Sequence, residues 1–96
     1  MRVSFKLGEP LATRVGQRLV TLETELSAAT VGDALAALAE RYPDVGQELR
    51  LGSRDSDFYY SLFLNDRLVP FANRDRAALK DGDVISILLP LAGGRD

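Results

Sequence analysis

The amino-acid sequence predicts an α+β fold in which one main helix packs on one face of a mixed β-sheet. Two strand-like segments open the chain, one capped amphipathic helix follows them, and further strand-like segments complete the order. A parallel sheet built from repeated strand–helix–strand units needs a long helix between its first two strands, and the sequence pattern predicts none there. The sheet is therefore expected to be mixed, with the helix across one side.

The first 25 residues contain two predicted strands. Residues 2–7 alternate between apolar and polar side chains, the pattern of a half-buried strand, and residues 8–10 end it. Residues 11–15 are expected to form one short helical turn, and the composition of residues 17–25 predicts the second strand. The apolar side of the first strand consists of Val3, Phe5 and Leu7.

The main helix has a clear signal at each end. Thr30 precedes Asp33 by three residues, as in a capping box, and Pro43 marks the end of the helical pattern. An apolar stripe at helical spacing runs between them, formed by Val31, Ala34, Leu35, Leu38, Ala39 and Tyr42. One side of this helix is therefore expected to pack on the sheet.

The segment after Pro43 shows no sustained hydrophobic period. Residues 44–58 are rich in turn formers, so we expect a long connection that contains a helical turn or a weak strand near residues 48–51. This connection leads to the strands of the last third of the chain.

Three further strands are predicted there. Residues 59–65 form the first, and the Asn65-Asp66 pair makes a tight turn into residues 67–69. Residues 75–79 are expected to form a helical turn, and a glycine-containing turn leads to the last strand, residues 84–89. This order matches the β-grasp, a ubiquitin-like roll whose first and last strands lie parallel at the centre of the sheet.

Length and composition bound the domain organisation. The chain has 96 residues, of which 46% are hydrophobic and 27% charged, values typical of a folded domain with one core. We expect residues 1–90 to form the β-grasp domain and residues 91–96 to form a flexible C-terminal tail.

The composition also excludes several classes of chemistry. The sequence contains no cysteine and no histidine, which removes thiolate nucleophiles, the commonest base near neutral pH and most transition-metal sites. A net charge of −2 without basic runs argues against nucleic acid. No apolar stretch approaches the roughly 20 residues of a membrane span, and no signal-peptide core follows Met1. We therefore expect a cytoplasmic protein that binds no nucleic acid, membrane or metal.

The informative segment is the C-terminal tail, in which the last strand gives way to Pro90, Leu91, Ala92, Gly93 and Gly94. Glycines bury no side chain and leave the backbone at its most flexible, so packing does not explain a diglycine after the last strand. From Pro90 to Gly94 the chain can extend roughly 16 Å, enough to enter a partner's cleft. A segment without Cβ atoms also fits a narrow channel, with its backbone amides free to pair with the partner's strands.

These features resemble the MoaD/ThiS superfamily of ubiquitin-like sulfur carriers. Residues 79–85 (LKDGDVI) are similar to that family's segment around the last strand, and residues 90–94 (PLAGG) resemble the tail of the molybdopterin-synthase small subunit. The opening is similar too, through residues 5–7 (FKL) and 11–16 (LATRVG). The resemblance covers nearly the whole chain and is most specific at its C-terminal end.

The resemblance implies a carrier rather than an enzyme. An E1-like adenylating enzyme would use ATP to activate the carboxylate of Gly94, and sulfur from a persulfide would then displace AMP to leave a thiocarboxylate. The thiocarboxylate would pass its sulfur to an acceptor synthase subunit, most simply in molybdopterin biosynthesis, with a thiazole, a tRNA or activated serine as other acceptors. ATP belongs to the partner, so no cofactor is expected on this chain.

Arg95 and Asp96 follow the diglycine, which departs from the family's usual terminus. Gly94 then has a free carboxylate only after this dipeptide is removed, a step that JAMM-type metalloproteases perform for some bacterial relatives. Two other functions stay open at this point. One is a modifier conjugated to lysines through Gly94, and the other is a binding module with an unused diglycine.

A second predicted site is an apolar patch on the sheet face away from the helix, where this family docks its partners. Strand alternation turns Phe63 and Leu88 outward, and Leu7 and Leu68 are expected at the rim of the patch. The competing interpretation is that residues 44–58 or a second copy of the chain cover these side chains, since single exposed apolar residues are normal.

Overall fold

The computed structural model describes residues 1–23, 29–50 and 58–89 of the chain. Its strands are β1 Arg2–Leu7, β2 Leu19–Glu23, β3 Ser61–Leu64, β4 Arg67–Val69 and β5 Val84–Leu88. Its helices are α1 Leu11–Val15, α2 Val31–Arg41, α3 Pro43–Leu49 and a 3-10 helix at Phe71–Arg76. This mixture of strands and helices confirms the predicted α+β class.

The five strands form one mixed sheet in the order β2-β1-β5-β3-β4. β1 and β5 run parallel, with Phe5 opposite Ile85 and Leu7 opposite Ile87. The other neighbouring pairs are antiparallel. The first and last strands are therefore adjacent and parallel inside the sheet, which confirms the predicted topology.

The core lies between one face of the sheet and the helices. Alternate residues of the strands point into it, as strand geometry requires, and the apolar stripes of α2 and α3 cover them. The sheet contributes Val3, Phe5, Leu7, Val20, Leu62, Ile85 and Ile87, and the helices contribute Leu11, Val31, Leu35, Leu38, Val45 and Leu49. No polar or charged residue is buried among the described residues, so apolar burial is the main source of stability.

Helix α2 begins and ends where the sequence predicts. The amide of Asp33 donates to the hydroxyl of Thr30 at 3.2 Å, and the amide of Thr30 donates to the carboxylate of Asp33 at 3.0 Å, which completes a capping box. The predicted stripe faces the core, and its buried members are Val31, Ala34, Leu35 and Leu38. The two later members, Ala39 and Tyr42, are half-buried.

The predicted connection after Pro43 is wrong in its first part, because helix α3 begins there. Pro43 lies in the first turn of α3, where its missing N–H would have no helical partner in any case, so one proline both ends α2 and starts α3. Val45 and Leu49 lie one turn apart and are buried against the core. The rest of the predicted connection, residues 51–57, lies outside the described residues.

The predicted helical turn at residues 75–79 is also wrong, because the helical backbone lies earlier, in the 3-10 helix. The amide of Leu79 donates to the carbonyl of Ala29 at 2.8 Å, and Ala78 forms a bridge with Thr30. This pairing with the segment before α2 keeps residues 77–79 extended. A tertiary contact has therefore overridden the local helix preference.

Strand ends differ from the sequence pattern by one or two residues. β2 begins at Leu19 instead of residue 17, and β3 begins at Ser61 instead of residue 59. β5 ends at Leu88, one residue early. Residues 24 and 25, the predicted end of β2, lie outside the described residues.

Two turns at one end of the sheet are joined by side-chain hydrogen bonds. Asn65 and Asp66 have φ values of 49° and 73°, the left-handed values of a two-residue hairpin turn, which confirms the predicted hairpin. The Asn65 side chain accepts from the amide of Val84 at 2.9 Å and donates to Asp83 at 2.8 Å. Gly82 has a φ of 89°, as expected for the glycine of the turn before the last strand.

Replacing Thr30 by alanine removes one half of the capping box and is expected to lower the free energy of unfolding by about 1 kcal/mol. Thr30→Ser keeps the hydroxyl and is the matched control, with a stability close to that of the unmodified chain. Denaturant unfolding followed by circular dichroism measures both variants. Equal stability of Thr30→Ala and the unmodified chain would contradict a stabilising role for the cap.

Candidate functional site

The sheet face opposite the helices is open to solvent. We call it the outer sheet face, and its described residues are Arg2, Ser4, Lys6, Leu19, Thr21, Glu23, Ser61, Phe63, Leu68, Val84, Ser86 and Leu88. Each of them is half-buried or exposed. Strand alternation explains the assignment, because the residues on either side of each one along its strand point to the opposite face.

One row of residues crosses the outer sheet face from edge to edge. The strand registers align it in the order Leu19, Lys6, Ser86, Phe63 and Leu68. The side chains at its two ends are well exposed, Leu19 by 54% and Leu68 by 63%. Lys6 lies between the apolar ends of the row.

The predicted patch residues Phe63, Leu68 and Leu88 lie on the outer sheet face. Phe63 is half-buried and pairs with Leu68, while Leu88 lies two residues beyond Ser86 on β5 and is 39% exposed. We call these three residues the apolar cluster. Helix α3 packs on the core side, so residues 43–49 do not cover the cluster. Residues 51–57, which the competing interpretation also includes, lie outside the described residues. The role of the cluster in partner binding stays a prediction.

Leu7 was expected at the rim of the patch, and this expectation is wrong. Leu7 is only 4% exposed and lies in the core opposite Ile87. The reason is alternation along β1, which turns Leu7 to the same side as Val3 and Phe5. The sequence pattern already grouped these three residues on one side, so it carried the information that excludes Leu7 from the outer sheet face.

Leu19 belongs to the outer sheet face and was not identified from the sequence. It precedes Val20, which is buried, so alternation alone turns Leu19 outward. The signal was therefore present in the strand pattern. What the pattern does not contain is the register that places Leu19 opposite Lys6.

The predicted carrier segment lies outside the described residues; it comprises Pro90, Leu91, Ala92, Gly93 and Gly94. The structure shows where this segment is attached. β5 ends at Leu88, and the next residue, Leu89, is 45% exposed. A cleft lies beside this point, and the described residues that line it are Pro10, Glu48, Arg50, Tyr59, Tyr60 and Leu89.

Three polar side chains connect separate elements next to this cleft. The Tyr60 hydroxyl donates to a carboxylate oxygen of Glu48 at 2.8 Å, and the other oxygen of Glu48 lies 3.2 Å from Nε of Arg14. Burial raises the pKa of Tyr60 to about 12, helped by the hydrogen bond and the negative charge of Glu48 and opposed by Arg14. The contacts tie α1 and α3 to the segment that precedes β3.

The described part of the chain contains no group of three or more acidic, histidine or cysteine side chains placed to hold a metal ion. In the same residues, no helix has both the length and the apolar character that a bilayer span requires.

The ThiS family model matches residues 10–94 of the chain. The crystal structure of SAMP1 from Haloferax volcanii has a TM-score of 0.76 at 26% identity, covering 98% of this chain and 100% of that chain. A chain of the Amycolatopsis orientalis BexX/CysO complex has a TM-score of 0.72 at 25% identity, covering 96% of this chain and 99% of that chain. The complex of subunits 1 and 2 of the Helicobacter pylori 26695 molybdopterin-converting factor contains a chain with a TM-score of 0.62 at 26% identity. The match covers 98% of this chain and 100% of that chain. No curated protein matches in sequence.

The sheet order and its similarity to these structures define a ubiquitin-like β-grasp protein. The chain belongs to the ThiS family, because the family model covers most of its length. This confirms the resemblance found in the sequence, which is to a family of ubiquitin-like sulfur carriers.

The contact between Tyr60 and Glu48 predicts that the Tyr60 phenol ionises only at high pH, and the absorbance of tyrosinate measures this ionisation. We expect the Tyr60 phenol to ionise near pH 12, and Glu48→Gln to lower its pKa because the repulsion of the phenolate is lost. The pKa of Tyr60 is higher in the folded than in the unfolded chain. The stability that it contributes is therefore complete below about pH 10 and is lost as the pH rises to about 12. The absorbance change that is lost in Tyr60→Phe is the one that belongs to Tyr60. Ionisation of Tyr60 near pH 10 would contradict the raised pKa.

Proposed function

We propose that the chain is a ubiquitin-like sulfur carrier whose Gly94 carboxylate is activated by an E1-like adenylating enzyme. The observation that carries this proposal is that the ThiS family match ends at Gly94, the second residue of the diglycine. What the chain shares with the family thus extends to the residue whose carboxylate the reaction needs. The central position of β5 supports the proposal, since this strand leads directly to the diglycine segment.

The proposed reaction takes place on the partner enzyme. A carboxylate oxygen of Gly94 attacks the α-phosphorus of ATP, which forms an acyl adenylate and releases pyrophosphate. A persulfide sulfur then attacks the acyl carbon and AMP leaves, and a second thiolate attacks the partner's sulfur of the resulting S–S bond, which releases the thiocarboxylate and leaves a disulfide on the partner. The chain has no cysteine, so the persulfide comes from the partner, and the partner is also proposed to supply the acid–base groups.

Processing precedes activation in this proposal. With Arg95 and Asp96 in place, the carbonyl of Gly94 belongs to a peptide bond, and an amide does not attack ATP as a carboxylate does. Cleavage after Gly94 supplies the carboxylate. A JAMM-type metalloprotease is the proposed processing enzyme.

The outer sheet face is the proposed surface by which partners hold the chain. Leu68 and Leu88 are exposed beside Phe63, and the burial of such apolar area is the main favourable term in protein association. Leu89 directly follows the strand that carries Leu88, so a partner bound here lies close to the root of the tail. The BexX/CysO and converting-factor structures are complexes, which supports protein partners for this chain as well.

We propose molybdopterin biosynthesis as the pathway, with an acceptor synthase subunit as the second partner. Two observations support this choice. Residues 90–94 resemble the tail of the molybdopterin-synthase small subunit, and the fold is similar to a chain of the two-subunit converting-factor complex. The chain would then act as the small subunit of the synthase while it remains a carrier.

A second candidate function is a protein modifier joined to lysines through Gly94. The similarity to SAMP1, which one of the matching structures names small archaeal modifier protein 1, favours it. Both functions begin with the same acyl adenylate and differ in the nucleophile that receives the acyl group. If a sulfur nucleophile receives the acyl group, the chain is a sulfur carrier. If a lysine amine receives it, the chain becomes a modifier joined through an isopeptide bond.

Intact-mass analysis of the protein from its native cells separates these functions. A carrier is expected to end at Gly94 and to gain about 16 mass units on charging, because sulfur replaces one oxygen of the carboxylate. A modifier is expected in conjugates of higher mass with lysine-bearing proteins. A native protein that keeps Arg95 and Asp96 in every form would contradict both.

In the chain that ends at Gly94, Gly94→Ala is expected to block activation and to leave folding intact. The added Cβ occupies space in a channel shaped for a residue without a side chain. ATP–pyrophosphate exchange with the adenylating enzyme measures activation, and thermal unfolding measures folding, each against the unsubstituted chain of the same length. A clear drop in thermal stability would instead indicate a structural role for the tail.

A further inference from the structure

We propose that the free edge of β2, together with a groove between β2 and α2, binds an extended peptide in which apolar residues alternate and a basic residue flanks them. The free edge is the side of β2 that faces away from β1. The peptide adds a strand to the sheet, so its backbone pairs with β2 while every second side chain enters the groove. The inference goes beyond the proposed function and does not rest on it, because it involves neither the tail nor the activation of Gly94.

The backbone groups of β2 point outward from the sheet at alternate residues. β2 is an end strand, and the amide of Leu7 donates to the carbonyl of Arg18 at 2.8 Å. Hydrogen-bonded pairs alternate along an antiparallel ladder, so the N–H and C=O groups of Leu19, Thr21 and Glu23 face away from β1. Among the described residues, no hydrogen bond reaches these backbone groups. They are therefore available to pair with an added strand.

The opposite edge of the sheet is protected against such pairing. β4 has three residues, Arg67–Val69, and Pro70 follows it without an N–H donor. A short strand and an adjacent proline are two common devices that prevent strand addition at an edge. β2 has five residues, Leu19–Glu23, and none of them is proline. Strand addition is therefore expected at β2.

A groove with an apolar floor lies between α2 and the β2 side of the sheet. Its volume is about 420 Å³, within the roughly 300–1,000 Å³ of clefts that bind ligands. Val3, Phe5 and Leu22 line it from the sheet, and Ala34 and Ala37 line it from α2. Ala37 is exposed, so its small side chain leaves the groove open to solvent. Side chains of an added strand that point to the same side as Leu22 enter this groove.

The charged residues of the groove favour a basic residue in the peptide. The groove is lined by the charged side chains of Glu23, Asp33, Glu40 and Arg41. Glu23 already accepts from Nε of Arg2 at 2.8 Å, which leaves two carboxylates against one guanidinium. Within the described part of the chain, neither Asp33 nor Glu40 forms an ion pair. A lysine or arginine beside the apolar positions of the peptide therefore complements the groove.

A second copy of the chain fits this site less well than a separate peptide. The groove takes apolar side chains from the occupant, and those side chains must not already be packed elsewhere. On the core side of β2, a second copy offers Val20, which is 3% exposed in its own core, and Leu22, which lines its own groove. Two β2 strands that pair with each other would leave both grooves unfilled. The occupant is therefore an extended segment whose apolar side chains are unpacked before binding.

The test measures binding of the full chain to a fluorescent synthetic peptide, Lys-Thr-Val-Thr-Ile-Thr-Lys, by fluorescence anisotropy. Strand alternation places its valine, isoleucine and both lysines on one side. The same peptide with glutamate in place of both lysines is expected to bind at least about threefold more weakly, because carboxylates line the groove. Lys-Val-Ile-Thr-Thr-Thr-Lys is expected to bind about fivefold more weakly, since only one aliphatic side chain then faces the groove.

Two pairs of variants locate the bound peptide. Thr21→Pro removes an outward N–H but no hydrogen bond to β1, and is expected to weaken binding by about tenfold. Thr21→Val is its control, because it also loses the contact with the Ser4 hydroxyl but keeps the N–H. Ala37→Leu fills the groove and is expected to weaken binding by about tenfold. Its control is Ala36→Leu, the same change at an exposed residue outside the groove.

Thermal unfolding shows whether each variant is folded, and the Ala37→Leu and Ala36→Leu pair decides the outcome if Thr21→Pro does not fold. Amide hydrogen exchange adds a residue-specific measurement. The peptide is expected to slow exchange at Leu19, Thr21 and Glu23, whose amides face outward, and to leave the paired amides of Val20 and Leu22 little changed.

Three results would each overturn the inference. The first is no binding of the lysine peptide at about 1 mM, a concentration that corresponds to a very weak complex. The second is equal binding by Ala37→Leu and Ala36→Leu, because the groove would then have no part in it. The third is slow exchange at Leu19, Thr21 and Glu23 in the free chain, because the edge would then already be covered. None of these results bears on the activation of Gly94, so the proposed function is tested separately.

Discussion

The parallel pairing of β1 with β5 is the constraint on which the rest of the structure depends. Phe5 and Ile85 lie opposite each other, and neither has any exposed surface. Because side chains alternate along a strand, this register also decides that Lys6 and Ser86 share the outer sheet face. A slip of one residue would turn the polar pair into the core and the apolar pair into water, so the buried face enforces the register of the exposed one.

Hydrogen bonds hold this pairing at both of its ends. At one end the amide of Gly82 donates to the carbonyl of Arg2 at 2.7 Å, and the amide of Arg2 donates to Asp81 at 2.7 Å. At the other end the amide of Gly8 donates to the carbonyl of Ile87 at 3.0 Å. The chain beyond β5 therefore starts from an anchored position, which suits a proposed function in which the body stays rigid and the tail enters a partner.

The structure separates the face that stabilises the protein from the face proposed to bind partners. The helices cover only one side of the sheet, and they pack tightly there, since a Cβ added at Gly46 of α3 would lie 2.9 Å from the Cβ of Ala39 in α2. The other side carries mostly short or polar residues together with Leu19 and the apolar cluster. Changes on the outer sheet face can thus alter partner binding without altering the core.

Local signals in the sequence determined the α+β class, the capped helix α2 and the Asn65-Asp66 hairpin. Each of these depends on residues close together in the chain, where period, capping and turn preferences act. Only the tertiary structure decided that residues 77–79 are extended and that one row on the outer sheet face consists of Leu19, Lys6, Ser86, Phe63 and Leu68. These features depend on which distant segments pair and in which register, and no local preference contains that information.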